Sequence, residues 1–151
     1  MNSILVVGGA GYIGGYLSDL LLRSGHDITV YDNLMFETRY LKDINFIYGD
    51  IREKEKLLTI MKDFNIVVWL AAIVGDGACA VDPALTRTIN EDSIKWLVDN
   101  YEGKIVFTST CSVYGIHDHL IDEDAEFNPQ SVYASTKLAA EKYIMKIMIT
   151  I

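Results

Sequence analysis

Ile4-Leu5-Val6-Val7-Gly8-Gly9-Ala10-Gly11-Tyr12-Ile13-Gly14 constrains the fold of this chain more than any other stretch. An unbroken apolar run is what a strand buried on both faces requires. It runs directly into glycines at 8, 11 and 14, after which a helical pattern begins. Gly8 permits a sharp turn, Gly11 lets a pyrophosphate approach the backbone, and Gly14 lets the following helix lie close to the sheet. The amides and positive dipole end of that helix would face the phosphates. Strand, glycine turn and helix in this order predict a dinucleotide site.

Further strand-like runs follow at Ile28-Thr29-Val30-Tyr31, Phe46-Ile47-Tyr48, Ile66-Val67-Val68-Trp69-Leu70 and Ile105-Val106-Phe107. Helical or crossover segments separate them. Ile13, Tyr16, Leu17, Leu20 and Leu21 predict the buried face of the first helix. Residues 34–44 leave room only for a short helical turn. Leu57, Leu58 and Met61 mark the next helix, residues 73–80 read as a Gly/Ala-rich loop, and Asp82-Pro83 starts a helix running to about Glu102. Five strands alternating with crossovers predict an α/β fold of Rossmann type, a doubly wound parallel sheet ordered 3-2-1-4-5.

The chain has 151 residues, the size of one domain, and residues 1–151 are expected to form a single dinucleotide-binding unit. A formal net charge of −8 argues against a nucleic-acid surface. No run is long enough to span a membrane, and no signal peptide is visible. Cys79 and Cys111 lie outside any C-x-x-C pair and read as reduced thiols of a cytoplasmic protein. His117-Asp118-His119 lacks a third ligand at useful spacing, so no metal site is expected.

Asp32 ends the second strand where this fold places a ribose-binding carboxylate, and no Arg or Lys follows directly. Its charge would repel a 2′-phosphate, which favours NAD over NADP. Asp50, just past the third strand, could accept from the adenine amino group with Ile51 packed on the ring, or cap the next helix with Glu53. Ala71 and Ala72 are small enough for a cofactor to come close. The second chemical constellation is Tyr133-Ala134-Ser135-Thr136-Lys137, which puts a phenol and an ammonium on one helical face. An ammonium about 4 Å from a phenolate favours it by roughly 4 kcal/mol at an effective dielectric near 20. Tyr133 could then exchange a proton with a substrate hydroxyl, Thr110 would orient that hydroxyl, and Lys137 would also hold the nicotinamide ribose.

Together these motifs resemble the extended short-chain dehydrogenase/reductases of the NAD-dependent nucleotide-sugar epimerase/dehydratase type. The resemblance rests on Gly8 to Gly14, Asp32-Asn33, Gly49-Asp50-Ile51-Arg52, Leu70-Ala71-Ala72, Asp82-Pro83 through Asn90, Ser109 to Gly115 and Tyr133 to Lys137. It implies that Thr110, Tyr133 and Lys137 are catalytic, and that Tyr12 and Ile13 lie over the pyrophosphate. It also implies that Asn33, Leu70 and Asn90 join the cofactor-binding residues. The implied substrate is a nucleotide-sugar or related small molecule.

Three positions depart from the family pattern. Val7 replaces a common Thr. Cys111-Ser112 stand where dehydratases carry Asp-Glu, so epimerisation or simple oxidation/reduction is favoured over loss of water. Family members continue beyond Ile151 with a sixth strand and a substrate-holding region. From that follow expectations of an open edge at strand five, of self-association into a homo-oligomer, of marginal stability, and of cofactor binding outlasting catalysis. Two other readings fit the same residues: a catalytically inactive NAD-binding module, and a reductase of a small carbonyl compound.

Overall fold

A computed structural model describes residues 1–148. The chain divides into two units, Met1–Ala71 with Leu97–Thr108, and Ala72–Trp96 with Ser109–Ile151.

The first unit is built on five parallel strands: β1 (Ser3–Val7), β2 (Asp27–Asp32), β3 (Asn45–Tyr48), β4 (Ile66–Trp69) and β5 (Lys104–Phe107). Their order is β3-β2-β1-β4-β5, as the alternation of apolar runs predicts. The central strand β1 puts Val6 beside Val30 of β2 and Val68 of β4. Its residues Ile4 to Val7 are buried on both faces, which explains the absence of polar alternation there. Ile4, Val6, Ile28, Val30 and Val68 form one apolar face, joined by Leu17 and Leu21 of α1 (Tyr12–Arg23) and by Tyr40, Ile44 and Phe46. The alternate residues Leu5, Val7, Tyr31, Val67 and Trp69 point the other way. On that side α2 (Lys54–Met61) places Lys56 over the Tyr31 ring and buries Leu57 and Met61, with Leu58 half-buried.

The inward face of α1 differs from the expected one. Gly14 and Ser18 are its buried residues, with Leu17 and Leu21 beside them, whereas Ile13, Tyr16 and Leu20 are 62%, 69% and 43% exposed. A Cβ on Gly14 would stand 2.5 Å from the Gly9 Cα, so close approach of helix to turn selects small residues on that face. Ser18 folds its hydroxyl onto the Gly14 carbonyl at 2.7 Å. Residues 34–44 contain no helix, only a turn closed by the Glu37 amide on the Leu34 carbonyl at 3.2 Å. Lys42 fastens this crossover to α1, donating to the Gly15 carbonyl at 2.7 Å and to Asp19 at 2.6 Å. Among the described residues β5 pairs with β4 alone and is an edge strand, as expected.

The second unit holds α3 (Asp76–Val81), α4 (Pro83–Arg87), a π-turn (Thr88–Asp92), a 3-10 turn (Cys111–Tyr114) and α6 (Val132–Met148). α6 packs against the other four. α5 (Ser93–Asn100) contributes Ser93 and Ile94 to this unit and Leu97 to the first. The expected loop at 73–80 is therefore partly helical. The expected single helix from Asp82 is interrupted: Asp82 caps it, accepting from the Leu85 amide at 2.9 Å, but the π-turn then intervenes. That wide turn shifts the helical phase and buries three consecutive residues, Ile89, Asn90 and Glu91. Glu91 is tolerated there because Arg87 and Lys95, one turn to either side, reach it at 2.8 and 2.6 Å. The helix from Tyr133 has in its sequence an apolar tail of Ile144, Ile147, Met148, Ile149 and Ile151, of which Ile144 and Ile147 are half-buried on α6. Ile149 and Ile151 lie outside the described residues.

Candidate functional site

In the first unit, the candidate residues gather at the carboxyl edge of the sheet. Gly8 leaves β1 with φ +80° and its amide on the Tyr31 carbonyl at 2.8 Å. A Cβ there would meet the Ala71 nitrogen at 2.3 Å, because the chain leaving β4 crosses directly beside it. The Leu70 and Ala71 amides both donate to the Val7 carbonyl, at 2.8 and 3.0 Å. Gly11 is the N-cap of α1, in extended backbone geometry, and a Cβ there would make only an ordinary contact, 3.7 Å from the Gly8 carbonyl oxygen. It offers no side chain to the amides of the first turn, and no acidic residue stands there. Tyr12 and Ile13 follow, both exposed. A helix N-terminus left clear of side chains and of negative charge is what an anionic diphosphate requires, so this turn fits a dinucleotide.

Asp32 binds the glycine turn to β2. One carboxylate oxygen accepts from the Ala10 amide at 3.0 Å and the other from the Leu34 amide at 2.7 Å. Asn33 donates to Asp50 at 3.1 Å and accepts from the Met35 amide at 3.1 Å. Asp50 does not cap α2 with its carboxylate. That group is clasped by Arg52, whose Nη2 and Nε lie 2.7 and 2.9 Å away and whose amide also donates. The Arg52 hydrogen bonds hold the Asp50 carboxyl far below the usual range, against the burial that would raise it. The capping exchange runs the other way, with Glu53 accepting from the Asp50 amide at 3.1 Å. Ile51 is buried beside them.

Sequence reasoning missed two contributors to this edge. The Arg52 clasp had a local signal, a cation two residues past a strand-end carboxylate. Tyr31 had none: it is fully buried, and its hydroxyl donates to the Asp50 carbonyl at 2.8 Å across 19 residues. Burial first, then the fields of Glu53 and Asp50, push its phenol up to about 12.

The second unit holds the candidate chemistry. Ser131 starts α6 by accepting from the Ala134 amide at 3.1 Å, which sets Tyr133 in the first turn. Tyr133 is half-buried, and Lys137, one turn on, is 4% exposed. Burial pushes the Lys137 ammonium down to about 8, and the negative charge of Glu141 opposes that fall. Glu141 accepts a hydrogen bond from the Ser109 hydroxyl. From sequence, Ser109 entered only as the first residue of the Ser109 to Gly115 motif, with no role of its own, and Glu141 did not enter; the four-residue spacing after Lys137 was a signal for Glu141 alone. Thr110 caps the 3-10 turn, its hydroxyl oxygen accepting from the Ser112 amide at 3.2 Å. The same hydroxyl donates to the Ser112 Oγ at 3.2 Å, and both side chains are accessible enough to exchange that bond for another.

Asn90 is buried in the π-turn, with its amide spread across the Ile73 backbone: Oδ1 accepts from the Ile73 amide at 2.9 Å and Nδ2 donates to its carbonyl at 2.8 Å. The Cys79 thiol, buried and pushed up by desolvation, donates to the same carbonyl at 3.3 Å. Asn90 therefore acts on the segment that begins with Ala72. His117 and His119 stack edge to face, with His117 on the Tyr114 carbonyl at 2.9 Å. No cluster of three metal-ligating side chains occurs among the described residues. None of their helices is long and apolar enough to cross a membrane.

The chain is similar in sequence and fold to known proteins. The UDP-glucose 4-epimerase of Halalkalibacterium halodurans is 35% identical over 93% of this chain and 44% of its own length. The chain spans about half the length of the curated relatives it matches. The solved structure of the Brucella ovis UDP-glucose 4-epimerase in complex with NAD superposes with a TM-score of 0.90. That match is at 32% identity, over 99% of this chain and 48% of that one. The Thermotoga maritima UDP-glucose 4-epimerase with UDP-glucose matches at TM-score 0.89 and 26% identity, over 97% and 51% of the two chains. The model of one family, the NAD dependent epimerase/dehydratase family, matches residues 4–148. With the 3-2-1-4-5 sheet, the glycine turn and the Tyr133-Lys137 pair inside that span, this chain belongs to the NAD dependent epimerase/dehydratase family.

Proposed function

We propose that this chain binds NAD and carries the acid-base residues of a nucleotide-sugar epimerase or oxidoreductase. The observation that carries the reading is Lys137, an almost fully buried lysine one helical turn from the half-buried Tyr133 phenol. A lysine is rarely enclosed in this way without a partner or a task.

The glycine turn suits the cofactor: Gly8, Gly11 and Gly14 keep side chains out of the path, and the α1 amides with Tyr12 and Ile13 would hold the pyrophosphate. Asp32 and Asn33 serve the adenosine ribose, and Asp50 and Ile51 the adenine. Leu70, Ala71, Ala72 and Asn90 complete the binding set with Tyr133 and Lys137. NAD, when bound, supplies the hydride acceptor. Lys137 favours the phenolate form of Tyr133 and would hold the nicotinamide ribose, the phenolate takes the proton of a sugar hydroxyl and becomes the neutral phenol, and Thr110 orients that hydroxyl. Cys111 and Ser112 offer neither the acid nor the base for elimination of water, so the reaction we assign is oxidation of the sugar with or without return of hydride to the opposite face. The two free thiols, Cys79 buried and Cys111 exposed, suit a reducing cytoplasm. We also propose that the partner of this chain is a second copy of itself and that it binds no nucleic acid.

The test is calorimetric titration with NAD, followed by incubation with NAD and a panel of nucleotide sugars beside Tyr133→Phe. Turnover that disappears in the variant while NAD still binds supports the assignment. Turnover unchanged in Tyr133→Phe refutes the tyrosine base, and absence of NAD binding refutes the cofactor. NAD binding without any turnover favours the binding-module reading.

A further inference from the structure

Tyr133, Lys137 and Glu141 succeed one another at four-residue intervals on α6, so phenol, ammonium and carboxylate form a single stripe along the helix. The carboxylate end of that stripe is anchored, because the Ser109 hydroxyl, 32 residues away in sequence, donates to Glu141. Glu141 is half-buried, so its charge reaches Lys137 with less screening than a surface pair would feel. We propose that Ser109 and Glu141 form a positioning device that keeps the Lys137 side chain charged and directed along the Tyr133 face of α6. What the device accomplishes rests on the reading of Tyr133 and Lys137 as the reacting pair; its existence does not.

The physical need for it follows from the burial of Lys137. Desolvation works against an ammonium, and a lysine that lost its proton would no longer favour a phenolate. Glu141 opposes desolvation at Lys137. The other titratable groups on elements packed against α6 are Asp76 and Cys79 on α3, Arg87 on α4, Glu91 and Asp92 in the π-turn, and Cys111 and Tyr114 in the 3-10 turn. Glu91 is taken up by Arg87 and Lys95, and the Tyr114 phenol is itself raised by burial and then by the Glu141 charge. An unanchored Glu141 could turn toward solvent; the Ser109 hydrogen bond holds it to the stripe.

The experiment is an NMR titration of the side-chain Cε resonance of Lys137 in the full chain with labelled lysine, assigned by its loss in Lys137→Arg. Glu141→Gln should lower the Lys137 midpoint by about one pH unit. Ser109→Ala should lower it by less, and Glu141→Asp should restore part of the difference. A midpoint unmoved in Glu141→Gln overturns the proposal, and one moved there but unmoved in Ser109→Ala overturns the part given to Ser109. Should Glu141→Gln fail to fold, the exposed Ser109→Ala change carries the test, and an unmoved midpoint there is equally fatal. No cofactor is needed, so a shift observed in a chain that does not bind NAD upholds this device while refuting the proposed function.

Discussion

The Asn90 side-chain amide closes a two-bond ring with the backbone of Ile73, accepting at 2.9 Å and donating at 2.8 Å. Both partners are buried, so truncation leaves two backbone groups without solvent to replace the lost bonds. Asn90→Ala should therefore cost about 2–4 kcal/mol in urea denaturation, more than an exposed helical asparagine could. Asn90→Asp keeps the acceptor but sets a carboxylate against the Ile73 carbonyl, and should be at least as destabilising at pH 7.

Lys137 gives a pH-dependent prediction. Its folded midpoint is about 8, against 10.5 when exposed. Below pH 8 it is charged in both states and its burial opposes folding. Between about 8 and 10.5 the unfolded chain binds more protons than the folded one, so this group's contribution to stability rises with pH. Lys137→Met keeps the apolar stem without the charge. It should be more stable than the parent at pH 7 by roughly 1–3 kcal/mol, with the advantage gone by about pH 10. Denaturant midpoints at pH 7, 9 and 10 measure this; an advantage that grows with pH contradicts it.

Tyr31 acts in the opposite sense. Its phenol is raised to about 12, so the folded state holds a proton that the unfolded chain releases near 10. The stability it contributes is complete below pH 10 and is lost as pH rises from 10 to 12. Tyr31→Phe should cost about 1 kcal/mol at pH 7 through the lost bond to the Asp50 carbonyl. The variant should also show a shallower alkaline decline in melting temperature than the parent.

Gly14 and Gly11 should separate on substitution to Ala. At Gly14 the new methyl would lie 2.5 Å from backbone atoms of Gly9, which cannot yield as a side chain can. We expect a loss of at least about 2 kcal/mol there. At Gly11 the methyl makes only an ordinary van der Waals contact, 3.7 Å from the Gly8 carbonyl oxygen. Its cost in the free protein should stay within about 1 kcal/mol, the N-cap difference between the two residues. The proposed function requires that NAD affinity fall in Gly11→Ala by far more than stability does, which calorimetry would measure.

The sheet was legible because parallel strands buried on both faces leave a signature that needs no partner to interpret. The glycine turn and the Tyr133-Lys137 spacing were legible for the same reason, since each is local. The α1 face was misjudged because periodicity favours large apolar residues, while the tight contact at Gly14 and Ser18 selects small ones. The π-turn left no mark, because one wide turn changes phase without changing composition. The Ser109-Glu141 and Tyr31-Asp50 contacts span 32 and 19 residues, and folding alone brings them together.

The contact between Tyr31 and residue 49 carries a consequence for how chains of this kind can diverge. A Cβ on Gly49 would fall 2.3 Å from the Tyr31 hydroxyl, so the phenol occupies the volume a side chain at 49 would need. Position 49 is not free to vary while the ring stands at 31. A chain that acquires Ala at 49 must give up or displace the ring at 31, whose Cζ and Cε2 would stand 2.5 and 2.6 Å away, and one that keeps Tyr at 31 must keep Gly at 49. Gly49→Ala should accordingly be poorly tolerated alone and partly rescued by a smaller residue at 31, as in Tyr31→Val, but not by Tyr31→Phe, whose ring carbons stay at 2.5 and 2.6 Å. In aligned descendants, a side chain at 49 should appear only where 31 has lost its ring.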